Sequence, residues 1–423
     1  MLDQWAAGFG TVSAGALTLF GIYAAIKTKG FALRALPAAI RQAVCPRQRG
    51  KGGSPFRAFA TSLAGTIGVG NMTGVAVAIA LGGAGAVFWM WVSAFLCMTV
   101  KYFEIYLALK HQPRGESTYG FGPMEYLKKA TESRVFPALF AGVGILSAFG
   151  MGSLLQTGAA QESALVTFGI PPAALGAAFS LCVGVALWGG VRRVTGIAEK
   201  VIPWLGGAFL ITGGIVIVRN GQNLLPALKS IFTQAFAPMA AAGGAAGQGV
   251  AAAFRHGVGN GLFSHEAGLG SAGLAHGTCN AVPERQGLWG IFEVFADTIL
   301  ISTVSALMLL TTEKSTVSAA SATVGPWGEI TLSVCLILFA LLAILSWSVY
   351  GETCAVFLGK QRAIPIYRIL FTLSPALAFL LPQSVLWQTS EIINACMMIL
   401  NLTGLLGFRR EMTKIATLDP KKL

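Results

Sequence analysis

Residues 65–74 read Gly-Thr-Ile-Gly-Val-Gly-Asn-Met-Thr-Gly and interrupt an apolar run at 58–81. A second glycine-rich interruption, Arg-His-Gly-Val-Gly-Asn-Gly-Leu-Phe-Ser-His-Glu-Ala-Gly-Leu-Gly, occupies residues 255–270. Unwound backbone in lipid costs several kcal/mol for each unpaired group. Both stretches are therefore predicted to be breaks in membrane-spanning helices, where the freed backbone lines a cavity or binds a ligand.

The composition around these breaks is that of a membrane protein. Charged residues make up 11% of the 423 residues, apolar residues make up 54%, and 53 residues are glycine. In a soluble domain roughly a quarter of the residues are charged, whereas glycine allows close helix packing in lipid. The net charge of +13 lies in short gaps between apolar runs, which argues against a nucleic-acid partner. The seven cysteines occur singly, so neither a disulfide framework nor a metal site is predicted from them.

Apolar runs long enough to cross about 30 Å of hydrocarbon recur along the chain. The predicted spans are 5–26, 58–81, 84–109, 135–160, 171–190, 197–218, 236–276, 287–312, 328–350, 363–381 and 384–408. The seventh is too long for one straight helix, and we interpret it as a surface-lying stretch followed by a broken span. The first lacks the basic start of a signal peptide and is kept as a span. The predicted fold class is an all-α polytopic membrane protein with about 11 transmembrane helices.

Lysine and arginine are concentrated in alternate loops, which predicts the orientation in the membrane. The basic clusters lie at 27–57, 101–134, 192–200, Arg285, 360–368 and 409–422. Placing them in the cytoplasm puts the N-terminus outside and the C-terminus inside, and the predicted location is the bacterial inner membrane. The two interrupted spans then run in opposite directions, five spans apart. This arrangement indicates an inverted-repeat transporter with its site at the midplane.

Four motifs follow one another from about residue 55 towards the C-terminus. They read Gly65-Thr-Ile-Gly-Val-Gly-Asn-Met-Thr-Gly-Val-Ala76, Ala80-Leu-Gly-Gly-Ala-Gly-Ala-Val-Phe-Trp-Met-Trp-Val92 with Lys101-Tyr-Phe-Glu104 and Leu107-Ala-Leu-Lys110, Gly261-Leu-Phe-Ser-His-Glu-Ala-Gly-Leu-Gly-Ser-Ala272, and Trp347-Ser-Val-Tyr-Gly-Glu352. In this order they resemble the alanine or glycine:cation symporter family, also called the sodium:alanine symporters. The resemblance implies secondary active symport of alanine, glycine or a similar small neutral amino acid with sodium, sometimes with protons.

The same resemblance implies an extra first helix followed by the five-plus-five inverted repeat of the amino acid–polyamine–organocation superfamily. The whole chain is then one transporter domain. Its predicted parts are an extra N-terminal helix with a basic cytoplasmic loop at 1–54, a first five-helix repeat at 55–220, a second, inverted repeat at 235–408 and a cytoplasmic tail at 409–423. The partners implied are the small neutral amino acid, sodium or a proton, and the lipid bilayer, with no cofactor and no obligatory protein partner.

Candidate substrate-binding residues lie at the first break and on helices that would face it. Free amides at Gly68, Val69 and Gly70 are predicted to receive a carboxylate, since helix N-termini favour anions. Asn71 adds a side-chain amide or offers a carbonyl oxygen to a cation. Gln156 matches the glutamine that the family directs at the substrate. The alternatives are close helix packing for the glycines and an interhelical hydrogen bond for the glutamine.

Phe263 and Trp347 occupy positions where the family walls its pocket with bulk, and Ala343 is assigned to the same site. Ordinary core packing is the alternative for the two aromatic residues. The carbonyls of Ala64 and Ile67 are predicted sodium ligands together with Asn71. The family commonly has Ser-Thr shortly before the tryptophan, whereas this chain has Leu342 and Ala343. Both hydroxyls are absent, so a proton-coupled or uncoupled carrier that has lost the sodium site stays open.

Three acidic residues within predicted spans have no assigned role. Glu266 either handles a proton or cation, or is a structural acid that pairs with Arg255 or caps the broken helix. Glu293 and Asp297 lie four residues apart and share one helical face. They either line the permeation path or pair with Arg255, and the sequence leaves both interpretations open.

Other functional classes find little support in the residues. His265 and Glu266 begin a His-Glu-x-x-His zinc motif, but residue 269 is leucine and the ligand pair is missing. The glycines at 68 and 70 lack the strand that precedes a dinucleotide-binding turn. No selectivity-filter repeat of a channel is present. The chain is therefore predicted not to be an enzyme.

Overall fold

The computed structural model describes residues 2–44, 54–112, 119–237, 249–420 and 423, and the regular elements in these ranges are helices. The α-helices are α1 (Leu2–Lys27), α2 (Phe31–Val44), α3 (Pro55–Thr66), α4 (Val75–Gly82), α5 (Gly85–Lys110), α6 (Pro123–Thr131), α7 (Val135–Phe149), α8 (Gln156–Phe168), α9 (Pro172–Trp188), α10 (Val191–Arg219), α11 (Leu224–Ala235), α12 (Val250–His265), α13 (Ser271–His276), α14 (Pro283–Val294), α15 (Thr303–Thr312), α16 (Val317–Ser321), α17 (Pro326–Gly359), α18 (Ala363–Leu377), α19 (Gln383–Gly407) and α20 (Arg409–Ile415).

Within the described ranges, seven helical segments are long and apolar enough to cross a membrane. The number is eight if the bent pair Pro55–Thr66 and Gly70–Gly82 forms one span. One of the seven, Pro326–Leu380, contains both α17 and α18. The 17-residue α9 is apolar but shorter than a standard span. The fold is thus all-helical and multi-pass, while eleven crossings and the inverted repeat stay predictions.

The helices are interrupted at both predicted places. The first half of the bent pair ends at Thr66, and a π-helical turn at Gly70–Gly74 leads into α4. The second half, Gly70–Gly82, is inclined at 49° to the first. At the second break, α12 ends at His265 and α13 begins at Ser271. Gly268 and Gly270 between them have φ values of 91° and 85°. These left-handed conformations suit glycine, which explains why the sequence pattern marks the break so clearly.

Two further π-helical turns lie beside the breaks. One at Gly150–Leu155 separates α7 from α8, and one at Phe295–Ser302 separates α14 from α15. Such turns insert an extra residue into a helix and are frequent at functional sites. The pattern analysis did not predict them, because a π-helical turn has no distinctive residue spacing.

Two surface helices fall where no span is predicted. The basic loop of the first 54 residues contains α2, whose buried face packs against α14 and α5. Residues 45–53 of that loop lie outside the described ranges. The amphipathic α11 ends just before the seventh predicted span, and most of the predicted surface-lying stretch, at 238–248, also lies outside the described ranges.

Lys101 does not belong with the loop charges used to predict orientation. It lies within α5 and is completely buried. Its ammonium donates to the carbonyl of His265 at 2.8 Å and lies 3.2 Å from the carboxylate of Glu293. Its charge is therefore neutralised inside the protein, and its assignment to the cytoplasmic cluster at 101–134 is wrong.

Candidate substrate and cation site

The first helix break leaves backbone groups without their usual helical partners. The Gly68 amide donates to the Asn71 side-chain oxygen at 3.0 Å, and the Asn71 amide donates to the Gly68 carbonyl at 3.3 Å. In a continuous helix these amides would donate to the carbonyls of Ala64 and Ile67, four residues earlier. Those two carbonyls, which the family resemblance implies as cation ligands, are thereby released from these two helical bonds.

Gln156 approaches the same break from α8. Its side-chain oxygen accepts a hydrogen bond from the Val69 amide at 3.2 Å. A Cβ atom at Gly68 would lie 2.6 Å from that oxygen, so the glutamine fits only because residue 68 has no side chain. Two of the three amides predicted to receive a carboxylate therefore have protein partners here. The amide of Val69 is held by a long side chain that a ligand could displace.

Phe263 covers the break from α12. A Cβ atom at Gly70 would lie 3.0 Å from the Phe263 ring and 3.2 Å from the Ser264 backbone. The Phe263 ring packs against Trp387 of α19 at a centroid distance of 4.6 Å. Trp387 could not be predicted as part of the site, since an aromatic residue near the end of an apolar helix is ordinary.

Trp347 is completely buried in α17. Its ring meets Tyr350 edge-on at 5.3 Å, and its indole N–H donates to the Glu266 carboxylate at 3.1 Å. Ala343 and Leu342 are buried in the same helix and offer no polar side-chain atom. Ser346 does offer one, and its buried hydroxyl has no hydrogen-bond partner within the described part of the chain.

Asp297 lies at the centre of a cluster of neutral polar groups. Its carboxylate accepts hydrogen bonds from Asn71 at 2.8 Å, Ser264 at 2.7 Å and Thr298 at 2.8 Å. The Asn71 amide also lies 3.1 Å from the Ser302 hydroxyl, and all five residues are completely buried. No lysine, arginine or histidine of the described residues lies within ion-pair distance of Asp297. The π-helical turn thus presents a carboxylate to the first break.

Glu293 belongs to a different network. It accepts from Ser62 at 2.8 Å, pairs with Lys101 at 3.2 Å and lies 2.7 Å from His276 Nε2. Gln286 donates to His276 Nδ1 at 2.7 Å and to a backbone carbonyl at 3.1 Å, which leaves Nε2 as the protonated nitrogen. With its ring proton on Nε2, His276 accepts from Gln286 at Nδ1 and donates to Glu293 at Nε2. This network joins α3, α5, α13 and α14 around one buried ion pair.

Arg255 pairs with none of the three acids considered for it. It lines a cavity on the α1 side of α4, and the interpretations that pair it with Glu266, Glu293 or Asp297 are wrong. Glu266 instead ends α12 in a left-handed conformation, with φ of 52°, and accepts from the Ser271 hydroxyl at 2.7 Å. Its carboxylate therefore bonds the first residue of α13 across the break.

The buried polar interior carries more acids than bases. Glu104 has one carboxylate oxygen bonded to the Gly270 amide at 3.0 Å, while the other has no hydrogen-bond partner among the described residues. With Glu266, Glu293 and Asp297 it makes four of the five buried acids among the described residues. The fifth, Glu352, pairs with Arg368 at 2.7 Å, and Lys101 pairs only with Glu293. Uncompensated buried charge is costly, so protons or metal cations are needed to balance it.

Two half-open cavities adjoin the break. One of about 280 Å³ lies between α1, α4, α12 and α19, and Phe263, Arg255 and Glu391 line it. The other, of about 260 Å³, lies between α4, α8 and α17, and Met72 lines it. Val77 lines both, so α4 separates them. Each cavity is lined by residues of the π-helical turn at Gly70–Gly74, Met72 and Thr73 in one and Gly74 in the other.

Helices broken around buried polar groups, with cavities leading to the breaks, define a membrane transporter. The fold is similar to that of the solved structure of MhsT in complex with L-phenylalanine, with a TM-score of 0.60 and 11% sequence identity. The match covers 87% of this chain and 98% of that one. At this identity the likeness shows the fold alone.

The sequence comparisons place the chain within this class. The model of the sodium:alanine symporter family matches residues 3–418. An uncharacterized transporter of Haemophilus influenzae is 35% identical over 405 residues, covering 92% of this chain and 89% of the relative. The sodium/alanine symporter AgcS of Methanococcus maripaludis is 32% identical over 407 residues, covering 91% and 89%. The chain belongs to the sodium:alanine symporter family, as its motifs predict, and is a transporter rather than an enzyme.

Proposed function

We propose that the protein is a secondary active transporter that moves alanine, glycine or a similar small neutral amino acid together with sodium by alternating access. The observation that carries this proposal is the first break, where the Val69 amide and the Gln156 side chain meet. A substrate carboxylate would take the place of the Gln156 oxygen at that amide. The released Gln156 oxygen would then accept from the substrate ammonium, so one exchange serves both charged ends.

The surroundings of this break favour a small substrate. Phe263 lies against Gly70, and Trp347 is buried against the helix that carries Gln156. Two bulky rings leave little room for a side chain beyond a methyl or hydroxymethyl group. The proposed orientation has the N-terminus outside and the C-terminus in the cytoplasm of a bacterial cell.

Two sets of oxygen atoms support cation coupling. The Asp297 cluster offers a carboxylate with the hydroxyls of Ser264 and Ser302, and the Asn71 amide can turn its oxygen toward an ion. The released carbonyls of Ala64 and Ile67 form the second set. We assign sodium to the Asp297 cluster, since it supplies the negative charge that balances the ion and does not depend on hydroxyls at 342 and 343.

The alternative function is proton-coupled or uncoupled transport of the same substrates. It is favoured by Leu342 and Ala343, which remove two hydroxyls that the family commonly has. A proton on Asp297 would neutralise the same buried carboxylate as sodium does. The two mechanisms differ in the ion gradient that drives accumulation.

Purified protein reconstituted in liposomes should accumulate labelled alanine when sodium is higher outside than inside. The expected result is accumulation above equilibrium that collapses when sodium is equal on both sides, because coupling draws on the sodium gradient. The same vesicles with a proton gradient and no sodium are the control. Accumulation driven by protons alone would replace sodium by the alternative, and absence of uptake for every small neutral amino acid would contradict the proposed function.

Gly68→Ala is expected to weaken alanine binding by roughly tenfold or more, because the new methyl group would overlap the Gln156 side chain. Equilibrium binding of labelled alanine to the purified variant measures this directly. Gly142→Ala in α7 is the matched control, since its Cβ would contact nothing within 4 Å. Equal affinity in both variants would show that the substrate binds away from this break.

A further inference from the structure

Trp347 connects the broken helix of the second interruption to the helix that carries Gln156. On one side its Cβ and Cγ atoms lie 2.4 Å from where a Cβ of Gly152 would be, so the tryptophan packs directly on the π-helical turn before α8. On the other side its indole N–H donates to Glu266 at 3.1 Å. The ring is therefore held by the π-helical turn before α8 on one side and by the turn between α12 and α13 on the other.

Glu266 is itself held tightly. Its backbone amide donates to the Leu262 carbonyl at 3.1 Å, and its carbonyl accepts from the Leu269 amide at 3.2 Å. Its left-handed φ of 52° is unusual for a residue with a side chain and persists because the surrounding turn enforces it. One carboxylate oxygen bonds Ser271 and the other bonds Trp347. The acid thus presents a fixed acceptor to the indole.

The indole needs this acceptor to keep one orientation. Packing against Gly152 holds the Cβ, Cγ and Cδ2 atoms of Trp347, and the hydrogen bond to Glu266 fixes where the N–H edge of the ring points. The edge-on contact with Tyr350 limits the ring but directs no hydrogen bond to it. Without Glu266 the buried N–H would be unpaired, and the ring would turn to find another acceptor.

We propose that Glu266 is a positioning residue that fixes the Trp347 ring and thereby sets the upper size of the transported amino acid. This inference rests on the proposed function, in which Trp347 walls the substrate site. It assigns Glu266 the role of a hydrogen-bond acceptor and not of a proton carrier. It also links the second break to substrate selection, since the acceptor belongs to the turn between α12 and α13.

The test compares Glu266→Gln, Glu266→Met and Trp347→Phe in liposomes with labelled alanine and valine. Glutamine keeps an acceptor for the indole and a partner for Ser271, so E266Q should retain the selectivity and the pH profile of the wild type within about twofold. E266M should raise the KM for alanine and reduce the preference of the transporter for alanine over valine by roughly tenfold, while Vmax changes less. W347F should behave like E266M, and the double variant E266M/W347F should be no worse than the more impaired single variant.

Three results would overturn the inference. E266Q losing transport or its pH dependence would show that the acidity of Glu266 matters. Unchanged alanine-to-valine preference in E266M, with the variant folded by its thermal unfolding curve, would show that the ring needs no acceptor. Additive losses in the double variant would show independent roles. If the wild type takes up neither amino acid, the proposed function fails before any variant is compared, so the two failures are distinguishable.

Discussion

Lys101→Met is expected to destabilise the protein by about 3–5 kcal/mol, because it leaves the fully buried Glu293 carboxylate without its countercharge. Heat- or denaturant-induced unfolding of the purified variant in detergent measures the loss of stability. Neutral donors from Ser62 and His276 remain, but they do not replace an ammonium group. The destabilisation should also loosen the junction of α3, α5, α13 and α14.

Removing both charges is the sharper form of this test. Lys101→Met combined with Glu293→Gln should recover most of the lost stability, since neither group is then buried as an unpaired ion. Lys110→Met is the matched control, because Lys110 pairs with Glu411 at 2.6 Å at the partly exposed end of the same helix. That variant should lose at most about 1 kcal/mol. Equal losses at 101 and 110 would contradict the buried ion pair as a stabilising contact.

Asp297→Asn is expected to reduce sodium-driven accumulation of alanine by about 100-fold or more. Loss of a residue that only supports a metal ligand typically costs 10–100-fold in metal affinity, and loss of the charged ligand itself should cost at least as much. The asparagine keeps the size of the side chain and its bonds to Ser264 and Thr298, so folding should persist. Uptake under an inward sodium gradient and sodium-stimulated alanine binding measure the effect.

Two control variants locate the ion. Glu391→Gln lies in the cavity beside Arg255 and should leave sodium dependence unchanged. Ser346→Ala in α17 tests the second oxygen set. It removes a buried hydroxyl that lies beside Gly65 of α3 and has no hydrogen-bond partner among the described residues. Normal sodium-driven accumulation in Asp297→Asn together with its loss in Ser346→Ala would move the cation to the carbonyls of Ala64 and Ile67.

The helix breaks could be predicted because their cause is local. Glycines at 68 and 70, and at 268 and 270, weaken a helix wherever they occur, and the left-handed turn at the second break needs two of them. Membrane location follows from composition for a similar reason, since the scarcity of charge excludes a water-exposed surface. Glycine and hydropathy patterns do not identify the family, but the four motifs do, and the family match confirms that assignment.

The partners of the acidic residues could not be predicted in the same way. Arg255 is near Glu266 in sequence, yet Glu266 bonds Trp347, 81 positions away. The loop-charge pattern places Lys101 in the cytoplasm, whereas its partner Glu293 lies on another helix inside the protein. Helical spacing predicts that Glu293 and Asp297 share one face, but the two acids enter separate networks, and a π-helical turn begins between them at Phe295.

The protein class, the helix breaks and the family can therefore be predicted from the sequence alone. Glycine content, hydropathy and short motifs each depend on only a few neighbouring residues. Only the packing of the helices creates the hydrogen bond between Asn71 and Asp297, the contact of Trp347 with Gly152 and the burial of Lys101. A buried polar group must take whichever partner lies within about 3 Å, and that neighbour is set by the packing of distant helices. Packing therefore decides which groups form the site, and the sequence decides where the backbone opens to receive them.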